Sequence, residues 1–94
     1  MEAHGGRAAN FLRRHLNNPF WVLDLPVDAS MAAVERKGEL LLSMLALGMA
    51  EATRFHTPLG LEERSPEMVR EALAELRNPD RRLLYEWWLG QEEA

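Results

Sequence analysis

The longest apolar run in the chain is Leu40 to Ala50, broken only by Ser43 and Gly48. It lies inside a helical pattern that begins after Ser30 and fades near Phe55. At about 100° per residue, Val34, Gly38, Leu41, Leu42, Leu45, Met49 and Ala52 fall on one face, which is predicted to meet the core. Leu40, Met44 and Leu47 follow i, i+4, i+7 spacing on another side, flanked by Arg36, Glu51 and Arg54. A helix that is apolar on two sides is either buried on both or shows one of them to a partner. Gly38 costs roughly 1 kcal/mol of helix propensity against Ala. In exchange, its missing side chain lets another helix approach closely.

The rest of the pattern is also helical. Ala8, Phe11, Leu12 and Leu16 share one side of a short segment made basic by Arg7, Arg13, Arg14 and His15. It predicts an amphipathic helix over 7–16, within an N-terminal extension of residues 1–17. Asn18 is a good cap and Pro19 suits a first helical position, because its missing N–H would be unbonded there. Phe20, Val22, Leu23 and Leu25 are then the apolar content of a helix of about two turns, which Pro26 ends. Ser30 caps the long helix. Phe55 to Gly60, with Pro58 and Gly60 two residues apart, is a break. Ser65-Pro66-Glu67 repeats the start signal, with Met68, Val69, Ala72, Leu73 and Leu76 as an inner stripe. Asn78-Pro79-Asp80 starts the last helix. From it Leu83, Leu84, Trp87 and Trp88 point inward or to a partner, and Gly90 ends it before a polar tail, 91–94. There is no alternating β-branched run and no Asn-Gly or Asp-Gly turn. The predicted fold is all-α: a small bundle of four helices over residues 18–90, plus the short N-terminal helix.

Composition narrows the function. With 94 residues there is material for one small core. The net charge of -4 argues against a nucleic-acid binder, which needs a basic face to displace counterions; only Arg7, Arg13, Arg14, Arg81 and Arg82 could supply one. The absence of cysteine rules out disulfides and thiolate chemistry. The first ten residues carry no apolar core of a signal peptide, and the Leu40–Ala50 run is about half the ~20 residues a membrane span needs. A cytoplasmic protein with no membrane span is expected. His4, His15 and His56 form no metal-ligand pair, and Ser43 has no histidine at i+3 or i+4 to act as its base. No Gly-rich phosphate loop is present. No catalytic residue, metal or cofactor is expected, and the chain is not read as an enzyme.

Two stretches resemble a known family. Asn18-Pro19-Phe20-Trp21-Val22-Leu23-Asp24-Leu25, followed by Pro26-Val27-Asp28-Ala29-Ser30, is similar to the short first helix and loop of the J-domain, the DnaJ-type co-chaperone module. Val69 to Leu76 with Asn78-Pro79-Asp80-Arg81-Arg82-Leu83-Leu84-Tyr85-Glu86 resembles the end of that family's third helix, its Asp-Pro turn and its Arg-rich fourth helix. The resemblance implies a J-domain-like helical bundle. J-domains stimulate DnaK-type ATPases through a His-Pro-Asp tripeptide, whose ungapped position here holds Ala46-Leu47-Gly48. The nearest substitute is His56-Thr57-Pro58, which lacks the Asp. The family's second helix also carries a basic face. Here Arg36 and Lys37 remain, while Leu40 and Met44 stand where the family commonly has Lys or Arg.

A charged face steers an anionic partner over distance, whereas an apolar one acts by burial at short range. The expected function is therefore a non-catalytic, J-like interaction module, an adaptor or regulatory subunit. Its expected partner-binding residues are Leu40, Met44, Leu47, Arg36 and Lys37, joined by Trp87 or Trp88 because Trp is enriched at interface anchors. The partner is a protein of unknown identity, and a homodimer would equally cover the stripe. The alternative is a DnaJ-type co-chaperone with a displaced loop motif at His56.

Overall fold

The computed structural model describes residues 17–93, with side chains as far as Gly90. The helix expected over 7–16 lies outside the described residues. The elements run α1 (Pro19–Val22), α2 (Met31–Ala46), a 3-10 turn (Ala50–Ala52), β1 (Arg54–Thr57), β2 (Gly60–Glu63), α3 (Pro66–Arg77) and α4 (Pro79–Glu93).

The four helix starts are local chemistry. Asn18 Oδ1 accepts from the Phe20 N–H at 3.0 Å, and Ser30 Oγ accepts from Ala33 N–H at 3.1 Å. Ser65 Oγ accepts from Met68 N–H at 3.2 Å, and Asn78 Oδ1 accepts from both Asp80 and Arg81. Each bond satisfies a donor that the first helical turn leaves free.

The all-α expectation is corrected. The chain is mostly helical, but Arg54–Glu63 forms a two-stranded antiparallel sheet, with Arg54 opposite Glu63 and Thr57 opposite Gly60. The J-domain-like bundle of four helices does not describe this fold, because a sheet stands between its second and third helices. Thr57 closes the turn twice: its Oγ1 accepts from Leu59 N–H at 3.1 Å and donates to the Gly60 carbonyl at 2.9 Å. Gly60 takes φ +117°, open to glycine and rare for other residues.

The long helix is also shorter than its apolar pattern. It ends at Ala46 because Gly48 adopts φ +70° and the chain turns back. Gly48 N–H donates to the Leu45 carbonyl and Met49 N–H to the Met44 carbonyl, the paired bonds of a Schellman end. The same two bonds end α1, where Asp24 takes the left-handed position at φ 54°. As a result Met49 is 39% exposed, while Ala52 reaches the core by way of the 3-10 turn and not on the face of α2.

The core joins Phe20, Val22 and Leu23 of the α1 region, Val34 and Leu41 of α2, Phe55 of β1, and Val69, Ala72, Leu73 and Leu76 of α3. Leu42 and Leu45 are only half-buried against it. From α4 the buried residues are Tyr85 and Leu89; of the residues expected to point inward or to a partner, Leu83, Leu84 and Trp87 are exposed and Trp88 is half-buried. Gly90 does not end α4, which continues to Glu93. Gly38 does what its size allows: a Cβ there would lie 2.6 Å from both Leu73 methyls, so α2 and α3 touch at that point.

Candidate interaction site

Beside β1, α2 leaves an open groove of about 390 Å³. One wall is α2, through Lys37, Leu40, Leu41 and Met44, at i, i+3, i+4 and i+7. The other is β1, through Arg54, Phe55 and His56, with Arg64, Asp24 and Glu51 completing the lining. Leu40 is 52% exposed, Met44 is half-buried, and Phe55 is 2% exposed and forms the apolar floor.

Arg64 builds the inner end of this groove. It is only 7% exposed. Its backbone N–H continues the ladder to the Thr53 carbonyl at 2.8 Å. Its Nε donates to the Val22 carbonyl at 2.7 Å, and its Nη1 donates to the carbonyls of Ala52 at 2.9 Å and Arg54 at 3.1 Å. The guanidinium carbon also lies 5.6 Å from the Phe55 ring centroid, within cation–π range. One side chain thus ties the end of α1, the 3-10 turn and β1 together. Burial pulls the Arg64 pKa below its ordinary value, and the Asp24 carboxylate opposes that shift. The guanidinium stays charged, since arginine does not deprotonate in proteins.

The structure divides the expected site residues. Leu40, Met44 and Lys37 meet in the groove. Leu47 caps the C-terminus of α2 and is 78% exposed, and Arg36 is exposed; neither lines the groove. Trp87 is exposed on α4, away from these residues in the lining. Trp88 is half-buried and packs edge-to-face on Tyr85, with ring centroids 5.5 Å apart. It lines a different groove, of about 280 Å³, together with Pro19, Met68, Glu71 and Leu84.

Arg54, expected to flank the stripe, lines the groove, and Phe55 and Arg64 join it although their pattern did not suggest it. Arg64 lies in a stretch with no clear period, and only its long-range contacts reveal it. His56 and Thr57 belong to β1 and Pro58 to the turn, so His56-Thr57-Pro58 is hairpin and not a loop after a helix. Ala46-Leu47-Gly48 is the C-terminal cap of α2.

Two arginines of α4 are occupied. Arg82 donates to the Val27 and Ala29 carbonyls and to Glu86, while Arg81 donates to Glu75. Among the described residues no group of three His, Asp or Glu converges as metal ligands, and no helix is long and apolar enough to cross a membrane. No protein-family model, curated protein or solved structure matches the chain.

Proposed function

We propose that this chain is a non-catalytic interaction module, an adaptor or regulatory subunit, that binds a protein partner in the groove between α2 and β1. The observation that carries this reading is Leu40, half exposed beside Met44 over the buried Phe55 ring. Burying such a surface on a partner releases apolar area from water, at roughly 25 cal/mol per Å² before the costs of association. Lys37 and Arg54 at the rim orient the partner more than they hold it.

The test is retention of partners from extract of the source cell by the immobilised chain, against Leu40→Lys and Met44→Lys. Leu40 is exposed and Met44 is half-buried against the core, so circular dichroism and melting temperature are measured for each variant, and a loss of retention counts from variants that remain folded. Loss of the retained partner supports the reading; equal retention by the double variant ends it.

A second reading keeps the co-chaperone activity, because His56 is exposed and lines this same groove. It predicts stimulation of a DnaK-type ATPase that His56→Ala abolishes. Absence of stimulation removes it and leaves the first reading intact.

A further inference from the structure

We propose that the groove recognises an acidic peptide segment of its protein partner, seating a carboxylate on Arg64 Nη2 and a neighbouring aliphatic side chain on Leu40 and Met44. The inference rests on the interaction reading above and adds the chemistry of the partner.

The charge accounting of Arg64 carries it. Arg77, Arg81 and Arg82 each hold a glutamate within 3.2 Å. Arg64 does not: its Nε and Nη1 are taken by three carbonyls, which are dipoles without net charge. Among the described residues no carboxylate forms an ion pair with Arg64, and no acceptor bonds its Nη2. Nη2 carries two N–H donors, and Arg64 lines the groove. A cation held in a largely buried position meets an incoming carboxylate with less screening than a surface cation does.

The rim agrees in sign. Lys37 and Arg54 line the same groove and form no ion pair among the described residues. Three cations (Lys37, Arg54, Arg64) against two acids (Asp24, Glu51) leave the groove at +1, on a chain whose net charge is -4. The apolar wall of Leu40, Leu41 and Met44 stands beside these charges. A ligand that satisfies both carries an acidic and an aliphatic residue close together. An uncharged segment would leave the Arg64 Nη2 donors without an anionic acceptor, and a purely acidic one would leave Leu40 in water.

The experiment uses the full chain and two fluorescently labelled hexapeptides, one alternating Glu and Leu and the other alternating Gln and Leu. Fluorescence polarisation gives the affinities, and nitrogen-15 NMR follows the arginine Nε–H signals. The Glu peptide is expected to bind at least about tenfold more tightly than the Gln peptide and to shift the Arg64 Nε–H signal. Lys37→Glu with Arg54→Glu, both on the rim, lowers Glu-peptide affinity by about tenfold or more and leaves the Gln peptide unchanged.

Equal affinity for the two peptides, or an unmoved Arg64 signal, overturns the proposal. So does a dimer in light scattering that Leu40→Lys makes monomeric and that the Glu peptide does not displace, because a second copy then fills the groove. If neither peptide binds while Leu40→Lys with Met44→Lys still abolishes partner retention, this inference falls and the interaction reading stands. If partner retention is also insensitive to that double variant, both fall.

Discussion

Arg64 Nε donates to the Val22 carbonyl at 2.7 Å, joining residues that are 42 positions apart in the chain. With Nη1 on the Ala52 and Arg54 carbonyls, this guanidinium replaces the backbone partners that the end of α1 and the outer edge of β1 lack. Arg64→Leu would leave three carbonyls without a donor, at least partly shielded from water. A buried unsatisfied acceptor costs about 1–3 kcal/mol, so a loss of about 3 kcal/mol or more is expected in urea unfolding. Arg64→Lys falls between the two, because an ammonium cannot span three acceptors in the guanidinium geometry. A loss below about 1 kcal/mol for Arg64→Leu would contradict this role.

Gly38 and Leu73 set the approach of α2 to α3. Gly38→Ala gains roughly 1 kcal/mol of helix propensity but brings a Cβ to 2.6 Å from the Leu73 methyls. The clash wins, and a net loss of about 1–3 kcal/mol is expected. Leu73→Ala in the same chain opens the space. A double-mutant cycle should then show coupling above about 0.5 kcal/mol, with Gly38→Ala less harmful when Leu73 is absent.

Gly48 tests a backbone effect alone. Its φ is +70°, and nothing lies within 4 Å of where a Cβ would be. Gly48→Ala therefore costs about 1–2 kcal/mol through the left-handed conformation, with no packing contribution. Hydrogen exchange should show the penalty as faster opening at the C-terminal end of α2.

Glu35 carries a pH signature. Arg77 donates to it from Nε and Nη2, both at 2.7 Å, and this hydrogen bonding holds the Glu35 carboxyl below its ordinary value. Its folded pKa is thus below its unfolded one. The stabilisation is present above the unfolded value, near 4.5, and is lost as the pH falls through the folded value. Unfolding curves of wild type and Glu35→Gln should differ at pH 7 and converge once the pH has fallen through the folded value. The difference should also shrink in high salt, because the pair is exposed.

What could be read in the chain was mostly local. Asn18, Ser30, Ser65 and Asn78 announce helix starts because each bonds donors within three residues. The Val69 to Leu76 stripe shows because α3 buries one face only. The hairpin was hidden for physical reasons. Its strands have four residues each, its turn is Pro58-Leu59, and only Phe55 is fully buried, so no alternation develops. The Thr57 hydroxyl and the Arg64 guanidinium hold it in place, and neither leaves a periodic trace. The end of α2 was masked by apolar residues on both sides of Gly48. Of the groove, Leu40, Met44 and Lys37 were legible because one helix spaces them. Arg54, Phe55 and Arg64 reach it only after the hairpin folds back.

The central claim is that a protein partner sits between α2 and β1. Its most direct test is photo-crosslinking in the source cell, with a photoreactive amino acid placed at Leu40, or at Leu83 on the exposed side of α4. Both positions are open to solvent, at 52% and 65% exposure, so reactivity alone does not separate them. The account predicts a discrete adduct from position 40 that Met44→Lys removes, and none from position 83. An adduct from position 83 with none from position 40 would contradict it.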